Sequence, residues 1–232
     1  MKITGIIAKW IFVLCLPFLL FTAGIGLAVN SSWLYNYGFE KYNVSQTTGI
    51  TQPELAKAAT GLISYFNSNE EYISLTVIKD GTSFELFNQR EMIHLKDVKE
   101  LIWLDYQVFL AMLIYILTYA GISLFWQKRR HWKQLAWGSV NGAAITLALM
   151  LVTGIGILIN FDQLFLRFHL LSFSNDFWQL DPAKDYLIML FPGGFWFDAA
   201  LFCAGITIVL AIIIGGTAWG YLRFVRHNTF SD

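Results

Sequence analysis

Four stretches of this chain run almost without a charge: Trp10 to Val29, Val108 to Trp126, Leu135 to Ile159 and Phe195 to Leu222. Each reaches or nears the roughly 20 apolar residues that carry a helix across a hydrocarbon core. None alternates as a barrel strand would, so helices, whose backbone groups pair within the segment, are the spanning elements. With 56% hydrophobic and only 14% charged residues, the chain is too apolar for an ordinary soluble domain. The expectation is an all-α membrane protein of four transmembrane helices.

The first stretch follows Lys2 and Lys9 and ends among small residues, as a signal peptide does. Its apolar length exceeds the roughly 7 to 15 residues of such a core, so it is read as a retained helix. Lys2, Lys9, Lys128, Arg129, Arg130, Lys133, Arg223 and Arg226 fall on one side of the spans with Asp232 as that side's only acid. The positive-inside rule makes that side cytoplasmic, and the short Lys128 to Lys133 loop carries most of the weight. The other side holds the remaining eight bases and fifteen acids, so a formally neutral chain is polarised across the bilayer. The expected layout is a multi-pass plasma-membrane protein with both termini cytoplasmic. Its spans are 1–29, 107–126, 135–159 and 195–222, joined by a cytoplasmic loop at 127–134 and followed by a tail at 223–232. Segments 30–106 and 160–194 together form a small extracytoplasmic α+β cap.

Within the cap, Thr51-Gln-Pro-Glu54 reads as a capping box with proline in the first turn. Leu55, Ala58, Ala59, Leu62, Ile63 and Phe66 then follow helical spacing. Tyr72 to Ile78 and Thr82 to Phe87 flank Asp80-Gly81, a tight hairpin turn. Asn88 with Glu91 starts a helix that continues through Met92, Leu95, Val98, Leu101 and Ile102 toward the second span. Asp181-Pro182 reads as an N-cap with proline at the first helical position, and Pro192-Gly193-Gly194 ends that short helix. The Gly138 and Gly142 pair and the Gly216 and Gly220 pair have the spacing of close helix packing. Cys15 and Cys203 lie inside spans and read as packing residues.

The topology sorts the four histidines. His131 and His227 fall among the cytoplasmic bases, while His94 and His169 fall in the cap segments beside the spans. Glu91 and Asp97 flank His94 at helical spacing, and Phe165, Phe168, Phe173, Asn175 and Asp176 surround His169. Two imidazoles at one apolar boundary suit acid and base work. Either histidine alone also reads as an amphipathic filler, and Glu91 as a cap. Asp181 and Asp185 are carboxylates that could orient an imidazole, or residues that favour a helix start. Glu91-x-x-His94 matches half of a di-iron signature, but no second Glu-x-x-His or His-Glu-x-x-His occurs, so no metal is expected. Nucleophile-elbow and phosphate-loop motifs are absent, which argues against a covalent enzyme intermediate and against nucleotide cofactors or nucleic-acid partners.

The stretch Arg90-Glu-Met-Ile-His94-Leu-Lys-Asp97-Val98-Lys99 resembles the lipoprotein intramolecular transacylase (Lit) family. So do Phe165-Leu-Arg-Phe-His169, Asn175, Trp178-Gln-Leu-Asp181-Pro182, Asp185 and Leu190-Phe-Pro192. The resemblance implies a bacterial enzyme acting on a diacylated lipoprotein in the membrane lipid. It would move the sn-2 acyl chain of the diacylglyceryl group to the α-amine of the N-terminal cysteine, leaving a lyso-form, N-acylated product. It also implies that His94 and His169 are catalytic. An ester becomes an amide, so no activated donor and no cofactor is required. The α-amine has a reference pKa of about 7.7 to 8.0, which an imidazole near 6.5 can deprotonate as it attacks. The second imidazole, protonated, can supply the departing glycerol oxygen and steady the oxyanion. Either imidazole can take either role from sequence alone; His94 is preferred as the base, because Glu91 and Asp97 stand near enough in sequence to raise its basicity. Phe168, Phe173, Trp178, Phe191 and Phe195 are the expected aromatic lining of the substrate pocket. Two rivals stay open: a membrane-embedded hydrolase, metal-dependent or not, and a non-catalytic sensor or complex subunit.

Overall fold

The computed structural model describes residues 2–126 and 130–228; Lys128, Arg129 and Asp232, part of the charge pattern above, lie outside them. Along the chain come α1 (Lys2–Val29), α2 (Ser32–Lys41), α3 (Val44–Thr48) and α4 (Gln52–Phe66). A two-stranded hairpin of β1 (Thr76–Lys79) and β2 (Thr82–Glu85) follows. Then come α5 (Gln89–Gly121), α6 (Arg130–Ser172), α7 (Tyr186–Leu190) and α8 (Gly193–Asn228). A π-helical turn, Ile122–Trp126, continues α5. Among the described residues four helices are long and apolar enough to cross a membrane: Gly5–Val29, Gln89–Phe125, His131–Ser172 and Gly193–Arg226. The last three outrun the roughly 20 residues that a bilayer needs.

The chain divides into two compact units. The first comprises Met1–Ile25, Asp105–Ile155 and Phe202–Asp232. Its core gathers Leu16, Leu20, Ala143 and Ala211, with Ile116, Leu147, Leu210 and Ile214 packed against them. Gly142 lets α6 approach α1: a Cβ there would stand 3.0 Å from the Leu16 Cβ and 3.1 Å from the Val13 carbonyl oxygen. Gly138 likewise faces Phe12. That is the small-residue packing its spacing suggests. Gly216 and Gly220 have the same spacing, yet a Cβ at either would meet open space; within this unit the glycine of α8 that a neighbour crowds is Gly215, against Ala143.

The second unit comprises Gly26–Leu104 and Gly156–Leu201. Helices α2 and α4 pack together, and α4 carries β1. The buried face of α4 is Leu55, Ala58, Ala59, Leu62, Tyr65 and Phe66, so Tyr65 joins the stripe and Ile63 lies at its margin. Strands β1 and β2 pair antiparallel from Thr76↔Glu85 to Lys79↔Thr82. Asp80 and Gly81 take φ of 52° and 79°, the left-handed pair that a two-residue hairpin turn requires. The strands are shorter than the sequence pattern suggests. Val77 is buried and its neighbour Ile78 exposed, which docks one face of the ribbon.

Two expected caps take other forms. Thr51 occupies the N-cap of α4 without a side-chain cap bond, and Glu54 accepts instead from the Ile78 N–H at 2.8 Å. The box carboxylate thus ties the hairpin to the helix. Asp181-Pro182 opens a turn rather than a helix; α7 starts at Tyr186 with Asp185 at its N-cap. The helices α2 and α3 lie in sequence with no amphipathic stripe strong enough to announce them. In α2, Gly38 sits where a Cβ would overlap the Phe195 ring.

The helix that carries the third apolar run continues to Ser172, with a break just after that run. Asn160 breaks α6 with φ −160° and ψ 82°, and its side-chain oxygen accepts from the Gln163 N–H at 3.0 Å. Residues 161–172 are therefore a separately capped helical segment.

Candidate active site

The site is built within the second unit from the first turns of α5, the last turns of α6 and the loop that follows. The start of α5 is a realised capping box: the Glu91 N–H donates to Asn88 Oδ1 at 3.1 Å, and the Asn88 N–H donates to Glu91 Oε2 at 2.8 Å. That fixes the phase of the helix, and His94 stands on the next turn. On the other side, Asn160 fixes the phase of the segment carrying Phe161, Phe165, Phe168 and His169.

The two imidazoles meet. Their ring centroids are 6.1 Å apart, and the residues are 7% and 9% exposed. Phe173 packs against both, 5.0 Å from His94 and 5.5 Å from His169. Around His169 stand Phe165 at 4.4 Å, Trp178 at 5.0 Å and Phe168 at 5.4 Å. The His169 Nδ1 lies 2.8 Å from the Phe165 carbonyl oxygen. A carbonyl only accepts, so Nδ1 carries the proton and Nε2 of the neutral ring is left as the acceptor. The Nδ1 of His94 is buried with no hydrogen-bond partner among the described residues.

The carboxylates named from sequence are brought close but do other work. Glu91 is 1% exposed. Its Oε2 caps its own helix, and its Oε1 accepts from the Leu187 N–H of α7 at 2.6 Å. It holds two backbone elements together and makes no bond to His94. Asp97 accepts from Asn175 Nδ2 at 2.8 Å, and Asn175 Oδ1 accepts from the Phe177 N–H at 3.1 Å. This pair pins the loop carrying Phe173 and Trp178 to α5. Asp185 accepts from Asn88 Nδ2 at 2.8 Å and from the Asp181 N–H at 2.7 Å. Asp181 accepts from the Ala183 N–H at 2.9 Å, a bond that holds its carboxyl below the ordinary carboxylate range.

Of the expected aromatics, Phe168, Phe173 and Trp178 surround the histidines, whereas Phe191 and Phe195 do not. Those two pack on each other at 4.9 Å and on Tyr35 and Phe39 of α2. Trp196 joins the groups, 6.0 Å from Phe191 and 5.7 Å from Phe165. Phe165, against His169, and Trp196, against Phe165, join this aromatic cluster although neither is among the rings expected as lining. The signal for Phe165 is its place four residues before His169, where the helix sets the two rings edge to face. Among the described residues no three His, Cys, Asp or Glu side chains converge as a metal site would require.

The sequence model for the lipoprotein intramolecular transacylase Lit family matches residues 10–196. The solved structure of the membrane-integral Lit from Bacillus cereus superposes with a TM-score of 0.78 at 21% identity, covering all of both chains. A structure of that protein with a histidine-to-alanine mutation superposes with a TM-score of 0.76 at 22% identity over 97% of each chain. An uncharacterized protein of Aquifex aeolicus is 28% identical over 129 residues, which are 55% of this chain and 54% of that protein. The chain thus aligns with about half the length of this curated relative.

Proposed function

This chain belongs to the lipoprotein intramolecular transacylase Lit family, and from that premise we propose that it moves one acyl chain within a single lipoprotein, with His94 and His169 as the acid and base. The observation that carries this reading is the pair of buried imidazoles 6.1 Å apart under a roof of aromatic rings.

The substrate is a lipoprotein whose N-terminal cysteine bears a diacylglyceryl thioether. Its free α-amine attacks the carbonyl carbon of the sn-2 ester, forming a C–N bond while a base removes an amine proton. The tetrahedral intermediate then expels the glycerol oxygen, the ester C–O bond breaks, and that oxygen takes a proton. His169 serves as the base, since the Phe165 carbonyl fixes its tautomer and leaves Nε2 to accept. The expectation that His94 is the base rests on help from Glu91 and Asp97. Burial, with the charge of His169, instead brings its pKa down to about 4 and outweighs the rise that Asp97 does give, while Glu91 is committed to Leu187. The His94 ring therefore starts uncharged; the proton taken by His169 is relayed through it to the departing oxygen, and both imidazoles end as they began. Donor and acceptor belong to one molecule, so holding them together supplies much of the acceleration. Aromatic walls keep out the water that would hydrolyse the ester instead.

The transfer leaves the mass of the lipopeptide unchanged, and this separates it from its rivals. We expect the N-terminal lipopeptide from cells expressing this chain to keep its mass and to place one acyl chain on the cysteine nitrogen when fragmented. Loss of one acyl mass with a free amine would identify a hydrolase, and an unaltered diacylglyceryl cysteine would leave a non-catalytic protein.

The charge pattern supports a layout with both termini in the cytoplasm and the second unit outside the plasma membrane. A C-terminal green fluorescent protein fusion is therefore expected to fluoresce, and an alkaline phosphatase fusion at the same point to be inactive. The reverse result would invert the topology and put the histidines on the cytoplasmic face.

A further inference from the structure

The segments that carry the histidines also form a polar concavity. It holds about 310 Å³ and is lined by Asn88, Arg90, Gln179, Asp181, Lys184 and Asp185, the lower end of the range for small-ligand sites. All six are polar, whereas the walls around His94 and His169 are rings. Two tethers place it next to the reaction. Arg90 is one helical turn before His94 on α5, and Gln179 directly follows Trp178, whose ring lies 5.0 Å from His169.

We infer that this cavity is the subsite for the peptide that follows the lipidated cysteine, a deepening that rests on the transacylase reading. The formal charges of the lining cancel, Arg90 and Lys184 against Asp181 and Asp185, which disfavours a free anion or cation as its ligand. Six polar side chains suit a polar ligand better than an acyl chain. A peptide backbone offers alternating N–H and C=O groups and asks for both acceptors and donors. The cavity supplies both. Arg90 gives one hydrogen bond from Nη2 to the Asp176 carbonyl, and its guanidinium has five donors in all. Gln179 donates to Asp176 Oδ1 at 3.1 Å and keeps its carbonyl as an acceptor. Asp185, which accepts from Asn88 and Asp181, braces the floor.

The substrate's own geometry demands such a site here. The attacking amine and the first peptide carbonyl sit on the same cysteine α-carbon. An extended chain advances only about 3.3–3.6 Å per residue. Wherever the imidazoles hold the amine, residues two to four of the lipoprotein must therefore pass within about 10 Å.

Two synthetic substrates test this with the intact protein in nanodiscs: diacylglyceryl cysteine amide, and the same lipid on a cysteinyl tetrapeptide of serine and asparagine. N-acylation is expected to favour the tetrapeptide by about tenfold in kcat/KM, chiefly through KM, as one charge-assisted hydrogen bond allows. Arg90→Ala and Gln179→Ala are each expected to shrink that preference to about two- to threefold. N-methylating the amides of residues two and three is expected to do the same to the wild type, an arm that does not depend on a variant folding. A merely structural role would lower both rates and leave their ratio intact, and that outcome overturns the subsite. So does a wild type that N-acylates both substrates equally. A folded wild type that N-acylates neither sinks the transacylase reading itself.

Discussion

His169→Ala is expected to lower the rate of N-acylation by about 10²- to 10⁴-fold, the usual contribution of a positioned acid or base, without preventing membrane insertion. The ring packs against Phe165, Phe168, Phe173 and Trp178, so insertion and folding need to be checked by size exclusion before the rate is read. His94→Ala is expected to fall in the same range. Groups that act on one proton path are strongly non-additive, so the double variant should be little worse than either single one. The readout is the fragment ion that places an acyl chain on the cysteine nitrogen. A folded single variant that keeps more than about a tenth of the wild-type rate would remove that histidine from the chemistry.

Glu91→Ala should act on stability more than on chemistry. Its carboxylate accepts from the backbone N–H groups of Asn88 and Leu187. Truncation leaves the buried Leu187 donor unpaired at about 1–3 kcal/mol and removes the cap bond of the exposed Asn88 at about 0.5–2 kcal/mol, against a whole-protein stability of about 5–15 kcal/mol. Unfolding of the detergent-solubilised protein by heat or denaturant should register that loss. Glu91→Gln keeps one acceptor oxygen but presents an amide NH₂ to the other donor, so only part of the loss should return. Were Glu91 instead tuning His94, the glutamine variant would keep its stability and lose rate. The two roles are separable by measuring both quantities on one preparation.

Features set by neighbouring residues are legible in the sequence, and features set by distant ones are not. Long uncharged runs mark the four spans because their length is a local property, and Asp80-Gly81 marks the hairpin because left-handed φ values restrict residue choice at that point. Asn88 with Glu91 marks the start of α5 for the same reason, since the reciprocal bonds join residues three apart. His94 and His169 come together only through topology and the family motifs. Nothing in the spacing of residues 75 positions apart says that their rings meet. The Glu91 bond to Leu187 spans 96 positions, and Asp97 to Asn175 spans 78. Such partners leave no periodic trace, so carboxylates read as helpers of His94 prove to be fasteners between distant elements. The polar cavity escapes for the same reason, because its lining comes from two segments that only the fold brings together.

The fasteners share a property that bears on how this site can evolve. Glu91 grips the main-chain nitrogen of residue 187, and His169 leans on the main-chain oxygen of residue 165. A main-chain group is supplied by whatever amino acid stands there. The side chains of Leu187 and Phe165 are thus free to drift for packing or for a different acyl chain while the bonds that align the site persist. At position 187 the single residue barred by that bond is proline, which has no hydrogen to give.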